Sequence, residues 1–122
     1  MPHLSLQYTA NLEGYDADAA LAELNRALAD SGHFDEFAIK SRAFLLNHYR
    51  VGTADGGRAF VHAQLKILPG RSEAVRGALS AIALDALRRG LPSHHPSVQL
   101  CVEVDELYAP AYAKTVLDAN LP

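Results

Sequence analysis

The second residue of the chain, Pro2, carries the most distinctive chemistry in the sequence. Once Met1 is removed, its ring nitrogen is a secondary amine, and a chain-terminal amine has an ordinary pKa of about 7.7–8.0. Burial in an apolar pocket or nearby cations would lower that pKa, because both disfavour the ammonium form. The sequence therefore indicates a general base that is active near neutral pH. With Met1 retained, the same nitrogen is an amide and has no basic lone pair.

Three cationic residues, Arg71, Lys40 and Arg42, stand where they could bind an anion. Arg71 follows a Pro-Gly pair in a predicted strand-to-helix turn, where a cation opposes the helix dipole. Its side chain is either solvated or paired with a carboxylate beside the free helix N–H groups. Lys40 and Arg42 are two residues apart on a predicted strand, so their side chains share a face. That pair is either solvated surface or a second anion-binding point.

The remaining polar residues do not form the signatures of other chemistries. The six histidines lack the short spacings of zinc sites, so no metal is predicted. The sequence has neither a phosphate-binding glycine motif nor a G-x-S-x-G elbow, so nucleotide binding and serine hydrolysis have no support. The single cysteine, Cys101, lies in an apolar run and is interpreted as a buried small residue, with a reactive thiol as the alternative.

Composition and charge are those of an ordinary globular protein. The 122 residues are 49% hydrophobic and 20% charged, which predicts one domain spanning residues 1–122. The formal net charge is −3 and the cations are scattered, so nucleic acid is not an expected partner. The start lacks the basic and apolar regions of a signal peptide, and no stretch approaches the ~20 apolar residues of a membrane span. We therefore predict a cytoplasmic protein with no membrane partner.

Hydrophobic periodicity predicts a strand, a helix and a second strand in the first half of the chain. Residues 3–8 alternate polar and apolar side chains, as in a half-buried strand. Asp16 can cap a helix whose leucines recur at helical spacing and which ends at Gly32. Residues 37 to about 51 are rich in strand formers and predict a long strand, with an interruption allowed.

The second half repeats this order. A glycine turn that begins at Thr53 predicts a hairpin into a strand over residues 59–67. Ser72 can cap a second helix that Gly90 closes, and residues 98–104 alternate as a last strand. The predicted order is therefore β-α-β-β-α-β.

These elements predict an α+β subunit in which a four-stranded sheet carries both helices on one face. The other face mixes Phe44 and Leu46 with Lys40 and Arg42, which is too apolar for solvent and too charged for a core. We therefore expect part of it to pack on another subunit. The apolar tail, residues 108–122, docks either on a neighbouring subunit or on its own domain.

Five segments, in order and spacing, carry a likeness that extends over nearly the whole chain. They are Met1-Pro-His, Ile39-Lys-Ser-Arg42, Ala59-Phe-Val-His62, Leu65-Lys-Ile67 with Gly70-Arg-Ser72, and Val102-Glu-Val-Asp-Glu-Leu107. With these segments the chain resembles the 5-carboxymethyl-2-hydroxymuconate Δ-isomerases of the tautomerase superfamily. The resemblance implies a homotrimer of β-α-β-β-α-β subunits, with the sheets facing inward and an active site near each amino-terminal proline.

The same resemblance implies residue roles. Pro2 is the base, and Arg71 lies where the family has one of the arginines that hold the substrate's carboxylates. Where the family commonly has Arg-Ser-Arg, this chain has Lys40-Ser41-Arg42, so either Lys40 or Arg42 is the second carboxylate contact. The implied activity is that of a cofactor-free isomerase that shifts a proton in a 2-hydroxymuconate-type acid during aromatic-acid degradation. The alternatives are a tautomerase for another enol acid and a non-enzymatic trimeric binding protein.

Overall fold

Two α-helices lie on one face of a four-stranded mixed sheet in the computed structural model, which describes residues 1–119. The element order is the predicted β-α-β-β-α-β. The bounds are β1 His3–Thr9, α1 Ala17–Asp30, β2 Lys40–Leu46, β3 Arg58–Ile67, α2 Glu73–Arg89 and β4 Ser97–Glu106, with 3₁₀ turns at Glu36–Ala38 and Ala109–Ala111. Within residues 1–119, neither helix is long and apolar enough to cross a membrane.

Both helices begin at the capping residues that the sequence predicts. The Asp16 carboxylate accepts a hydrogen bond from the Ala19 N–H at 3.0 Å, and the Ser72 hydroxyl accepts one from the Val75 N–H at 3.2 Å. These bonds satisfy N–H groups that a helix start leaves without partners. After α1, Gly32 adopts a φ of +79°, which residues with a side chain rarely adopt, and the chain turns there toward β2.

The sheet order is β2-β1-β3-β4, so the predicted hairpin between β2 and β3 is wrong. β1 lies between these strands and pairs parallel to β2 and antiparallel to β3, while β3 pairs parallel to β4. The turn after β1 holds both neighbours: the Ala10 N–H donates to the Leu46 carbonyl at 3.0 Å, and the Asn11 amide donates to the Arg58 carbonyl at 2.8 Å. Residues 47–57 therefore pass over the end of β1.

β2 is also shorter than the predicted strand of residues 37–51. Phe37 lies in the 3₁₀ turn before β2, and the chain leaves the sheet after Leu46. In the connection that follows, Gly52 and Gly57 have positive φ, so the glycine-rich stretch does turn the chain. These turns carry the chain past β1 and do not join two paired strands. Glycines with positive φ are suited both to a tight hairpin and to a longer connection of this kind.

The hydrophobic core lies between the sheet and the two helices. Alternate residues of β3 are fully buried, as are two leucines of β1, and they meet the apolar faces of both helices. Truncating a buried leucine of this kind to alanine costs about 2–5 kcal/mol, so the core fixes β1 firmly. The largest fully buried apolar side chains in it are Leu4, Leu6, Leu24, Leu28, Val61, Leu65, Ile67, Leu79 and Leu87.

The opposite face of the sheet carries polar and charged side chains, which no helix of residues 1–119 covers. The Glu103 carboxylate lies 2.8 Å from Nε2 of His62, and the Gln64 amide donates to Asp105 at 2.7 Å. That hydrogen bond is the main cause that lowers the pKa of the Asp105 carboxyl. Cys101 lies on this face and is exposed, so its predicted burial is wrong for the subunit, because its two neighbours on β4 are the ones that face the helices.

Candidate active site

Pro2 is fully buried directly before β1. Its carbonyl accepts a hydrogen bond from the Lys40 N–H at 3.1 Å, and the next residue, His3, is paired with Lys40 in the parallel β1–β2 register. The parallel pairing therefore places Pro2 beside one of the predicted cations, although the two residues are far apart in the sequence.

The chain-terminal amine at this end of the sheet is held toward its neutral form. With Met1 in place, the pKa of its amino group falls from 8.0 to about 6. Partial burial is the largest cause, and the positive charges of Lys40, Lys114 and Arg71 lower the pKa further. Three cations thus converge on the amino end of the chain, and two of them, Lys40 and Arg71, are residues that the sequence singles out.

Arg71 reaches this region from the turn between β3 and α2. One of its terminal nitrogens donates to the His33 carbonyl at 2.7 Å, and the guanidinium carbon lies 4.7 Å from the centroid of the Phe34 ring. The turn itself is held by the Gly70 N–H, which donates to the Glu106 carboxylate at 3.3 Å. A guanidinium has five N–H donors, so the side chain is oriented by these contacts and still has donors for a carboxylate.

Arg42 is engaged with His3. Its guanidinium lies 3.0 Å from Nδ1 of His3, and Nε2 of the same ring lies 3.1 Å from the Tyr112 hydroxyl. Because a guanidinium can only donate, Nδ1 accepts, and the ring proton is assigned to Nε2, which donates to Tyr112. Burial, followed by the charges of Lys40 and Arg42, lowers the pKa of His3 and favours this neutral ring. Arg42 therefore contacts the tail through His3.

His3 and Lys40 line a cavity of about 570 Å³, whereas Pro2, Arg42 and Arg71 are not among its lining residues. One wall is formed by the start of β1 and β2 and by the turn before β2, and the other wall is formed by the C-terminal segment after the last 3₁₀ turn. Its volume is in the range of small-molecule sites, roughly 300–1,000 Å³. The lining residues are His3, Phe37, Lys40, Tyr112, Ala113, Lys114, Thr115 and Val116.

The C-terminal wall includes three polar residues to which the sequence assigns no role, Tyr112, Lys114 and Thr115. Tyr112 and Lys114 belong to the segment that is predicted only to dock as an apolar tail, and the sole prediction for His3 is that it is not a metal ligand. The sequence signal that could have indicated a site is the presence of the Tyr112 hydroxyl and the Lys114 cation inside an otherwise apolar segment. The tail lies against its own subunit at Tyr112, while Leu117 is 93% exposed; residues 120–122 of the predicted tail lie outside the described residues.

Comparison with known proteins places the chain in a family. The family model described as 5-carboxymethyl-2-hydroxymuconate isomerase matches residues 2–118. The chain belongs to the 5-carboxymethyl-2-hydroxymuconate isomerase family. It is therefore a tautomerase-type isomerase, as the resemblance implies. No curated protein sequence matches the chain.

Solved structures agree with this family membership. A 5-carboxymethyl-2-hydroxymuconate isomerase from Deinococcus radiodurans R1 is 30% identical, with a TM-score of 0.85 over 93% of this chain and 88% of that chain. A 5-carboxymethyl-2-hydroxymuconate delta-isomerase is 27% identical, with a TM-score of 0.81 over 95% and 89% of the two chains. Malonate semialdehyde decarboxylase, at 17% identity and a TM-score of 0.66 over 93% and 90%, shares the fold.

Proposed function

We propose that this isomerase moves a proton along a conjugated 2-hydroxydienoic acid of the muconate type, with 5-carboxymethyl-2-hydroxymuconate as the substrate and Pro2 as the general base. The observation that carries the proposal is that burial and the charges of Lys40, Lys114 and Arg71 lower the pKa of the Met1 amine, one residue before Pro2, so that the same surroundings would act on a free Pro2 nitrogen. A neutral amine surrounded by cations suits a carboxylated substrate whose proton must be removed near pH 7.

The proposed reaction is a proton transfer in two steps. The nitrogen of Pro2, freed by removal of Met1, takes the proton of the 2-hydroxyl group or of a carbon and forms a dienolate. The same nitrogen then returns the proton to a carbon further along the conjugated chain, so atoms and electrons balance without a cofactor. Cations near the dienolate oxygen and its carboxylate stabilise the negative charge that grows there.

Arg71 and Lys40 are the proposed carboxylate contacts. Arg71 is oriented by His33 and Phe34 and keeps free donors, which supports a paired contact with one carboxylate. Lys40 lines the cavity and supplies a single ammonium, which binds as a point charge. Arg42 is hydrogen-bonded to His3, which favours Lys40 over Arg42 as the second contact.

We also propose that the isomerase is a homotrimer. The uncovered sheet face is cationic at one edge, where β2 carries Arg42, and anionic at the other, where β4 carries Glu103 and Asp105. A contact of one edge with the opposite edge of a neighbour pairs unlike charges, and such head-to-tail contacts can close into a ring. The exposed Leu117 gives the end of the tail an apolar residue for a neighbour to cover.

Two measurements test the proposed activity. Mass spectrometry of the intact chain purified from its own cells should show that Met1 is absent. The purified protein should then change the ultraviolet absorbance of 5-carboxymethyl-2-hydroxymuconate faster than that of 2-hydroxymuconate, and both faster than that of the phenylpyruvate enol. A fastest reaction with phenylpyruvate would favour a different enol acid, and retention of Met1 without turnover of any substrate would favour a binding protein.

A further inference from the structure

We propose that Lys114, on the C-terminal segment, is a substrate-binding residue that holds, together with Lys40, the substrate carboxylate nearest to the amino end of the chain. This inference rests on the proposed function and adds to it a residue from an element that the sequence leaves without a role. In a 2-hydroxydienoic acid this is the carboxylate next to the 2-hydroxyl group, which every substrate of the class carries.

The cavity geometry brings the two lysines together from opposite walls. Lys40 comes from the first residue of β2, and Lys114 comes from the segment that follows the 3₁₀ turn Ala109–Ala111. Both side chains are close enough to the chain-terminal amine and to His3 to act on them electrostatically. That amine belongs to Met1, and Pro2 is the next residue, so an anion bound between the two lysines would lie near the nitrogen that removal of Met1 exposes.

The segment that carries Lys114 is anchored to the sheet. The Leu107 N–H donates to the Ile67 carbonyl at 2.8 Å at the end of β4. Two residues before Lys114, the Tyr112 hydroxyl accepts the hydrogen bond from His3, whose other nitrogen is held by Arg42. Arg42, His3 and Tyr112 thus act as positioning residues that keep this wall of the cavity in place.

The charged residues that line the cavity, Lys40 and Lys114, are both positive and favour the binding of an anion. Among residues 1–119, Lys114 forms no ion pair with a carboxylate. The ammonium of Lys40 instead donates to the Ala38 carbonyl. Two lysines that face one cavity repel each other, and binding of a carboxylate between them relieves that repulsion. Because the dienolate oxygen next to this carboxylate gains negative charge, the pair also favours the transition state over the substrate.

Binding of two unreactive acids tests the inference without turnover. trans,trans-Muconate and sorbate share the six-carbon diene, and only muconate has a second carboxylate. Calorimetric titration of the assembled protein with each acid should show that Lys114→Gln weakens both by about tenfold, the scale of one charge-assisted contact. Lys114→Arg keeps the charge and should bind both acids within about twofold of the wild type.

Two further variants serve as comparisons. Arg88→Gln removes the same charge from an exposed position at the end of α2, away from the cavity, and should leave both affinities unchanged. Arg71→Ala should weaken muconate more than sorbate, because Arg71 is proposed to bind the carboxylate at the other end of the substrate from the one held by Lys40 and Lys114. Arg88→Gln therefore separates the effect of Lys114 from that of net charge, and Arg71→Ala separates it from that of the contact with the other carboxylate.

The inference is overturned if Lys114→Gln binds sorbate as the wild type does, or if the wild type binds neither acid at millimolar concentration. A loss confined to muconate overturns it as well, because Lys114 would then hold the second carboxylate. Failure of the proposed function looks different: the wild type would isomerise no dienol acid, whereas the binding of both acids would still depend on Lys114.

Discussion

The pH dependence of the isomerase should reveal the charges around its amino terminus. Only the neutral amine can take a proton, so kcat/KM should fall on the acid side as the pH passes down through the pKa of Pro2. With Met1 in place, the pKa of the chain-terminal amine is about 6, lowered first by burial and then by Lys40. Pro2 is more deeply buried than Met1, so we expect the acid limb of the processed enzyme to lie well below pH 8.0.

Replacement of Lys40 by glutamine should move this limb to higher pH. Removing a positive charge makes the ammonium form less unfavourable, and the pKa of the amine rises. A partly solvated charge pair is worth about 0.2–1 kcal/mol, and one pKa unit corresponds to about 1.36 kcal/mol, so the rise should be about half a unit. Because burial is the larger cause and is retained, the limb of Lys40→Gln should still lie below pH 8.0.

The assay is the pH profile of kcat/KM between pH 5 and 9 at constant ionic strength, on the best substrate of the panel. Lys40→Arg keeps the charge and should leave the limb in place. Arg26→Gln removes an exposed charge from α1, with 70% of its side chain accessible, and should also leave it in place. A limb that stays at the same pH in Lys40→Gln would refute the electrostatic part of this reasoning.

Further perturbations address the substrate contact, the base, the assembly and the fold. Arg71→Ala should lower kcat/KM on a dicarboxylate by about one to two orders of magnitude and much less on a monocarboxylate; equal losses would contradict the paired contact. Pro2→Ala, which leaves a primary amine, should reduce turnover by about two orders of magnitude with an unchanged circular dichroism spectrum. Light scattering should give the mass of a trimer at micromolar concentration, and Glu103→Lys should shift it toward the monomer. Ser72→Ala should lower the free energy of unfolding by about 1 kcal/mol in urea titration, because the start of α2 loses its cap.

The elements of the fold could be predicted where their signals are local. Asp16 and Ser72 cap the helices that their positions indicate, and the alternation of β3 and β4 directs the predicted residues to the core. The pairing of β2 could not be predicted in the same way. A glycine turn has the same chemistry whether its strands are neighbours or have β1 between them, and strand order depends on contacts that are distant in sequence.

The same distinction between local signals and distant contacts applies to the candidate site. Pro2 and the cations can be proposed from their chemistry, because an amino-terminal proline and an arginine against the helix dipole are visible in the sequence; their roles stay predictions. The cavity wall that carries Tyr112 and Lys114 could not be predicted, because this segment has no regular periodicity and its position depends on the hydrogen bond to His3. Cys101 was misplaced because strand alternation, and not the apolar character of its neighbours, decides which face it takes.

The central claim, that the nitrogen of Pro2 is the base, is tested most directly with two forms of one sequence. One form begins at Pro2, and the other keeps Met1 and is isolated by mass before the methionine is cleaved. Turnover of both is measured on the same substrate at the same pH. We expect the form with Met1 to be at least about 100-fold slower, because its proline nitrogen is an amide. Equal turnover of the two forms would show that the nitrogen of Pro2 is not the base.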